Sequence, residues 1–66
     1  MTLYRVHLMA ADGSLYEIRE LNFDHDDNAI DYAGWLDHLE EIYVWEGERL
    51  VAHFPSEKIP HSPFNP

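Results

Sequence analysis

The chain has 66 residues, no cysteine and a formal net charge of −9, from 13 acidic and 4 basic side chains. A chain of this length forms one small domain. Its core is thin, because the chain can bury only about 60% of the surface that its unfolded form exposes. The lack of cysteine excludes disulfides and thiolate chemistry, and the negative charge disfavours direct binding to nucleic acid or to an anionic membrane.

The first part of the chain predicts a β-hairpin. Apolar and polar residues alternate over Leu3–Met9 and again over Leu15–Leu21, which is typical of two strands. Asp12-Gly13 lies between these segments and is a signal for a tight hairpin turn. We therefore expect the two strands to pair antiparallel.

A helix is predicted next, from about Asn28 to Glu40, with a length of roughly 20 Å. Asp24, Asp26 and Asp27 precede it and are candidate N-caps, because a short carboxylate accepts hydrogen bonds from the free N–H groups of the first turn. Apolar residues at helical spacing form its predicted core stripe: Ala29, Tyr32, Ala33, Leu36 and Leu39.

Two more strands are predicted at Ile42–Trp45 and Arg49–Phe54, joined by a turn at Glu46-Gly47-Glu48. The sum is an α+β fold of order β-β-α-β-β, in which one helix covers one face of a four-stranded antiparallel sheet. Residues 1–54 would form a single domain, and residues 55–66, which hold all the prolines, an extended tail. The other face of the sheet would carry Arg5, His7, Glu17, Arg19, Tyr43, Trp45, Val51 and His53.

The dense carboxylates after the first hairpin raise the question of a metal site. Asp24, Asp26 and Asn28 match the first three ligand positions of an EF-hand loop, but the match then fails. The sixth position is Ala29 instead of glycine, and the twelfth is Trp35 instead of glutamate. Nearby histidines lack the spacing of a helical zinc motif. Weak binding of a divalent metal remains a minor alternative.

Catalytic signatures are missing from the sequence. No serine lies in a G-x-S-x-G elbow, and the three glycines do not form a phosphate-binding loop. The acids lie where helix capping and a solvated helix face explain them, and so small a fold offers little concavity for a substrate. We therefore expect a protein that is not an enzyme and uses no cofactor.

The composition also bears on the compartment. No apolar run is long enough to span a bilayer, and the N-terminus has no long apolar segment of the kind found in signal peptides. Small secreted domains usually depend on disulfides. The sequence therefore predicts a cytoplasmic protein.

The charge distribution is the most informative feature of the sequence. Between Arg19 and Arg49 there is no lysine or arginine, whereas acids are frequent there. Such a concentrated negative field steers a basic partner to the surface, and its carboxylates would imitate a row of phosphates. Solubility and helix capping are the alternative explanation. The predicted partner-binding residues, with the tryptophan as an anchor, are Asp24, Asp26, Asp27, Asp31, Trp35, Asp37, Glu40 and Glu41.

Two resemblances accompany these predictions. The stretches "LYRVHLMAADG" and "IYVWEGERLVAHF", together with Ala29-Ile30, resemble a group of short bacterial proteins of β-β-α-β-β type. This resemblance covers residues 3–54; it implies the fold but no chemistry. As a class, the small acidic cysteine-free chain is similar to phage-encoded inhibitors such as anti-CRISPR proteins, some of which imitate DNA and occupy a basic channel.

The sequence thus supports a leading hypothesis and an alternative. The first is a non-enzymatic protein-binding module, in its sharpest form a nucleic-acid mimic that occupies the basic groove of a nucleic-acid-binding protein or complex. The alternative is a small bacterial housekeeping or stress-related homodimer that associates through the aromatic sheet face around Tyr43 and Trp45. Both exclude direct binding to nucleic acid or a membrane, and they differ in whether the chain is a monomer.

Overall fold

A computed structural model describes residues 1–56 of the chain and confirms the predicted order of elements. The elements are β1 (Thr2–Met9), β2 (Leu15–Phe23), α1 (Asp26–Trp35), β3 (Ile42–Glu46) and β4 (Arg49–Phe54). Of the predicted tail, Pro55 and Ser56 are described, and the rest of that prediction lies outside the described residues.

The four strands form one antiparallel sheet in the order β2-β1-β3-β4. The second hairpin therefore docks beside β1, so that Val6 is the Cα partner of both Arg19 and Val44. This order places the two strands with the most buried apolar side chains at the centre of the sheet, where both neighbours shield them. β2 and β4 are the edges.

The core lies between the sheet and α1. Its buried residues are Tyr4, Val6, Leu8, Ala29, Ala33, Ile42 and Val44. Ala29 and Ala33 lie one turn apart on the helix, and their small side chains allow its backbone to approach the sheet closely. Burial of this one face supplies most of the hydrophobic free energy available to the domain.

The helix is shorter than its periodicity predicts, because it ends at Trp35 instead of Glu40. Leu36 is already extended, with φ −69° and ψ 134°, and its N–H donates to the carbonyl of Ala33. Gly34, a poor helix former, precedes this end. Within the part of the chain that the structure describes, no helix has the length and apolar character needed to cross a membrane.

The segment after α1 was predicted to continue the helix, but it instead forms hydrogen bonds with the end of β1. The backbone N–H of Met9 donates to the carbonyl of Glu41 at 2.9 Å, and His38 Nε2 lies 2.8 Å from the carbonyl oxygen of Met9. Leu36 still packs against the core, but Leu39 is 59% exposed. These tertiary hydrogen bonds and the return of the chain into β3 override the helical pattern.

The prediction of which β2 side chains point away from the helix is wrong. Glu17 and Arg19 lie on the helix side of the sheet, because their antiparallel partners are Leu8 and Val6, which are buried there. The strand continues to Phe23, whose ring packs against the core. That contact decides which alternate residues of β2 face the helix. Arg19 and Glu17 lie on the same face as Phe23, farther along the strand.

Val51 also departs from the prediction. A β-bulge leaves it without a Cα partner between the pairs Val44–Ala52 and Trp45–Leu50, and its side chain packs against the core. The other predicted residues of that face are placed as expected. We call the sheet surface opposite α1 the outer face, formed by Leu3, Arg5, His7, Ile18, Glu20, Tyr43, Trp45, Leu50 and His53.

Candidate partner-binding site

The predicted site residues fall into two segments. Asp24, Asp26, Asp27, Asp31 and Trp35 lie at the start and along the length of α1. The other three, which sequence analysis placed on or beside the helix, belong to the connection that follows it: Asp37, Glu40 and Glu41. With ten residues, α1 is roughly 15 Å long at 1.5 Å per residue, so the carboxylates do not form a single helical row.

Asp26 is engaged within the chain. Its carboxylate accepts two hydrogen bonds from the Arg49 guanidinium, at 3.0 and 3.1 Å, and one from the Tyr4 hydroxyl at 2.7 Å. The hydrogen bonds from Arg49 and then Tyr4 lower the pKa of Asp26 to about 2, and the same carboxylate raises the pKa of Tyr4. Asp26 therefore ties the start of α1 to β1 and β4.

The N-cap of α1 is not one of the predicted aspartates. It is His25, whose backbone N–H donates to Asn28 Oδ1 at 3.2 Å. Asp26 and Asp27 instead occupy the first turn, where the helix dipole favours negative charge. The aspartates thus contribute to the helix start through its dipole rather than by capping.

Glu40 and Glu41 also interact within the chain. Glu41 Oε2 lies 3.3 Å from His53 Nε2, and the Tyr43 hydroxyl donates to Glu41 Oε1 at 3.5 Å. Glu40 accepts a hydrogen bond from Ser56 Oγ at 3.5 Å. Both carboxylates are half-buried, and Glu41 contacts side chains of the outer face rather than the surface of α1.

The remaining four acids stay uncompensated. Asp24, Asp27, Asp31 and Asp37 are exposed, and within residues 1–56 their side chains form no hydrogen bond or ion pair. The described arginines are all engaged elsewhere: Arg5 with Glu20 at 2.8 Å, Arg19 with Glu17 at 3.0 Å, and Arg49 with Asp26 at 3.0 Å. No described arginine neutralises these four acids.

Two of these acids line a groove between α1 and the end of β2, with a volume of about 650 Å³. Its helical side consists of residues at the spacing i, i+3, i+4 and i+7, which place four side chains on one stripe. We call it the acidic groove and define it by Phe23, Asp24, Asn28, Asp31, Tyr32 and Trp35.

The floor of the acidic groove is aromatic and held in place. The rings of Phe23 and Tyr32 are 5.6 Å apart, and Phe23 also contacts the buried ring of Tyr4 at 5.8 Å. Arg19 Nη1 donates to the Tyr32 hydroxyl at 3.1 Å, and this hydrogen bond contributes most to the raised pKa of Arg19. Trp35, by contrast, is 88% exposed at the end of the groove.

Sequence reasoning found three members of the groove and missed the others. Asp24 and Asp31 were identified by their charge and Trp35 as an anchor beside the acids, whereas Tyr32 was assigned only to the core. The helical spacing of Tyr32 from the acids could have placed it beside them. Phe23 could not be found in this way, because its position depends on how far β2 extends.

The histidines that raised the question of a metal have other roles. His25 begins α1, and His38 contacts the backbone of Met9. Across residues 1–56, no group of three or more His, Asp or Glu side chains is arranged to hold a metal ion. We therefore take the acidic groove as the candidate site.

The acidic groove combines carboxylates and aromatic rings from α1 and from the end of β2. Comparison of the chain with protein-family models, with curated proteins and with solved structures gives no significant match.

Proposed function

We propose that the protein is a non-enzymatic, cytoplasmic module that binds a basic protein partner, in its sharpest form as a mimic of nucleic acid. One observation carries this proposal: Asp24, Asp27, Asp31 and Asp37 are exposed, and within residues 1–56 they lack any side-chain partner. Trp35 lies among them with 88% of its surface exposed. The surface therefore presents negative charge together with an aromatic anchor.

The energetics favour a binding role over a purely structural one. Asp26 shows what a structural carboxylate looks like in this fold, because it has three hydrogen bonds from two side chains. The four unpaired acids repel each other and gain nothing from the folded chain beyond solvation and the helix dipole. A basic groove would relieve that repulsion, and its field would accelerate encounter at low ionic strength.

Reversal of charge at Asp27, Asp31 and Asp37 to lysine should abolish partner binding and leave the fold intact. The three side chains are exposed, and among residues 1–56 they form no hydrogen bond or ion pair that the reversal would break. The measurement is a pull-down from bacterial lysate with the full chain as bait, at low and at moderate salt. We expect a nucleic-acid-handling complex that is retained at low salt and displaced by added DNA.

A matched control reverses three acids that the fold already pairs with arginines. Glu17, Glu20 and Glu46 each contact an arginine and lie outside the set of unpaired acids. Lysine at these three positions changes the net charge by the same amount as lysine at Asp27, Asp31 and Asp37. Retention of the partner by this control would show that the position of the acids matters and not only their number. Capture by the Asp27/Asp31/Asp37 variant at wild-type level would contradict the proposal.

The outer face favours a second candidate function, self-association. Leu3, Ile18 and Leu50 are 45%, 44% and 46% exposed there, beside the half-buried rings of Tyr43 and Trp45. The face is nearly balanced in charge, because Arg5 pairs with Glu20. A second copy could therefore meet it without the repulsion expected at the acidic groove.

Leu50→Glu is expected to convert such a dimer into a monomer. It would bury a charge within an apolar contact between the two copies, whereas the side chain of Leu50 in the monomer is already half exposed. Leu39→Glu is the control, because Leu39 is 59% exposed and lies outside the sheet. Light scattering coupled to size exclusion measures the mass, and a wild-type monomer at high concentration would rule the dimer out.

A further inference from the structure

We infer that the acidic groove receives an arginine side chain of the basic partner, with the guanidinium between the rim carboxylates and the indole of Trp35. This inference rests on the proposed function and specifies the group that is recognised. Asp24 and Asp31 provide the negative rim, and Phe23 and Tyr32 provide the floor.

The groove is formed before any partner arrives. Tyr32 is held at its hydroxyl by Arg19 at 3.1 Å and at its ring by Phe23 at 5.6 Å. Phe23 is held in turn by the buried ring of Tyr4. A volume of about 650 Å³ lies within the range of roughly 300–1,000 Å³ that is typical of small-ligand sites. A ligand group would therefore enter with little rearrangement of the floor.

The charge of the groove selects the occupant. The charged side chains that line it are those of Asp24 and Asp31, which outnumber the α-ammonium group of Met1 at the same groove, so an anion would be repelled. A purely apolar group would strip water from these carboxylates without replacing its hydrogen bonds, which is costly. A cation with an apolar stem satisfies both parts of the surface, because its stem covers the rings and its charge meets the carboxylates.

Arginine fits this arrangement better than lysine. Its planar guanidinium stacks on aromatic faces and forms forked hydrogen bonds with carboxylates, and it sheds water more readily than an ammonium group does. Trp35 is 88% exposed at the end of the groove, so its indole is available for such stacking. The same features make arginine the common anchor at protein interfaces.

The test is a titration of the full chain with the peptide acetyl-GRGRG-amide, followed by ¹H–¹⁵N correlation NMR. The peptide acetyl-GKGKG-amide is titrated in parallel. The two indole N–H signals provide an internal comparison, because Trp35 lies in the groove and Trp45 lies on the outer face. We expect the arginine peptide to shift the signal of Trp35 and leave that of Trp45 in place. The lysine peptide should bind several-fold more weakly.

Asp31→Asn should weaken binding of the arginine peptide by about tenfold or more, the effect of losing one charge-assisted hydrogen bond. Asp27→Asn removes the same charge from the same helix but from outside the groove, so its effect should be about twofold at most at moderate salt. Trp35→Ala should weaken binding as well. Both Asp31 and Trp35 are exposed, and the dispersion of the NMR spectrum verifies that each variant is folded.

Three results would overturn the inference. Equal shifts of both indole signals would show diffuse attraction, and equal losses in Asp27→Asn and Asp31→Asn would show that net charge alone matters. Equal binding of the two peptides would remove the role of the guanidinium. In each case the lysate experiment could still retain its basic partner, so the proposed function would survive while this site would not.

Discussion

Replacement of Leu8 by alanine is expected to lower the free energy of unfolding by about 2–5 kcal/mol, the largest effect of any single substitution considered for this protein. For a domain of this size, each kcal/mol corresponds to a shift of roughly 4–8 °C in Tm. Urea unfolding followed by tryptophan fluorescence measures the change. A loss at the upper end would leave little folded protein at room temperature.

The size of this effect follows from the position of Leu8. The residue is 3% exposed in β1, a central strand, and it faces Ile42 of β3 across the sheet. The core has only one layer beneath a ten-residue helix, so few neighbours can move to fill the cavity. The substitution therefore loses both the transfer free energy of the removed atoms and the packing around them.

Leu39→Ala is the matched control, with the same change of side chain. Leu39 is 59% exposed and follows the end of α1, so its truncation should change the free energy of unfolding by no more than about 0.5 kcal/mol. This control also tests the boundary of the helix. A loss at Leu39 as large as that at Leu8 would mean that the helix continues and buries Leu39, as its periodicity predicts.

The second large effect is expected at Asp26. Asp26→Asn should lower Tm by several degrees at neutral pH, because it replaces a carboxylate that accepts hydrogen bonds from Arg49 and Tyr4. These contacts join α1 to β1 and β4, so their loss loosens the attachment of the helix to the sheet. Thermal unfolding followed by circular dichroism measures the shift.

The pH dependence of stability provides a separate check on Asp26. Its pKa is about 2 in the folded chain, below its ordinary value of 3.8, because Arg49 and Tyr4 stabilise the charged form. The unfolded chain therefore takes up this proton first, at a higher pH. The stability that Asp26 contributes is complete above pH 3.8 and is lost as the pH falls toward 2. The Asn variant should lack this part of the acid-induced loss.

Asp27→Asn is the control for both measurements. Asp27 occupies the same helical turn and carries the same charge, but it has no side-chain partner within residues 1–56. We expect its Tm to stay close to that of the wild type and its acid profile to keep the wild-type shape between pH 4 and 2. Equal behaviour of the two variants would show that Asp26 acts only through net charge.

The acids show how far charge patterning can identify a site. The gap between Arg19 and Arg49 predicted a negative surface, and five of its acids, Glu48 among them, are exposed and have no side-chain partner within residues 1–56. The same pattern could not separate Asp26 from Asp27, which are adjacent in the sequence. Only the fold brings Arg49, 23 residues away, to the carboxylate of Asp26.

The sequence by itself determined the order of elements, all four strand starts to within a residue, and the two alanines of α1 that are buried in the core. These features depend on local alternation, on turn chemistry and on helical spacing, which act over a few residues. Ala29 and Ala33 were predicted on the core stripe of the helix for this reason, and both are buried.

The tertiary structure decided the strand order, the faces of β2, the end of α1 and the shape of the acidic groove. Each of these depends on partners far along the chain. Glu17 faces the helix because it pairs with Leu8, and the helix ends before Leu36 because the residues that follow form hydrogen bonds with Met9. Local preferences amount to less than about 1 kcal/mol per residue, so a few long-range contacts override them. Charge and periodicity therefore predict which residues are available, and packing decides which of them meet.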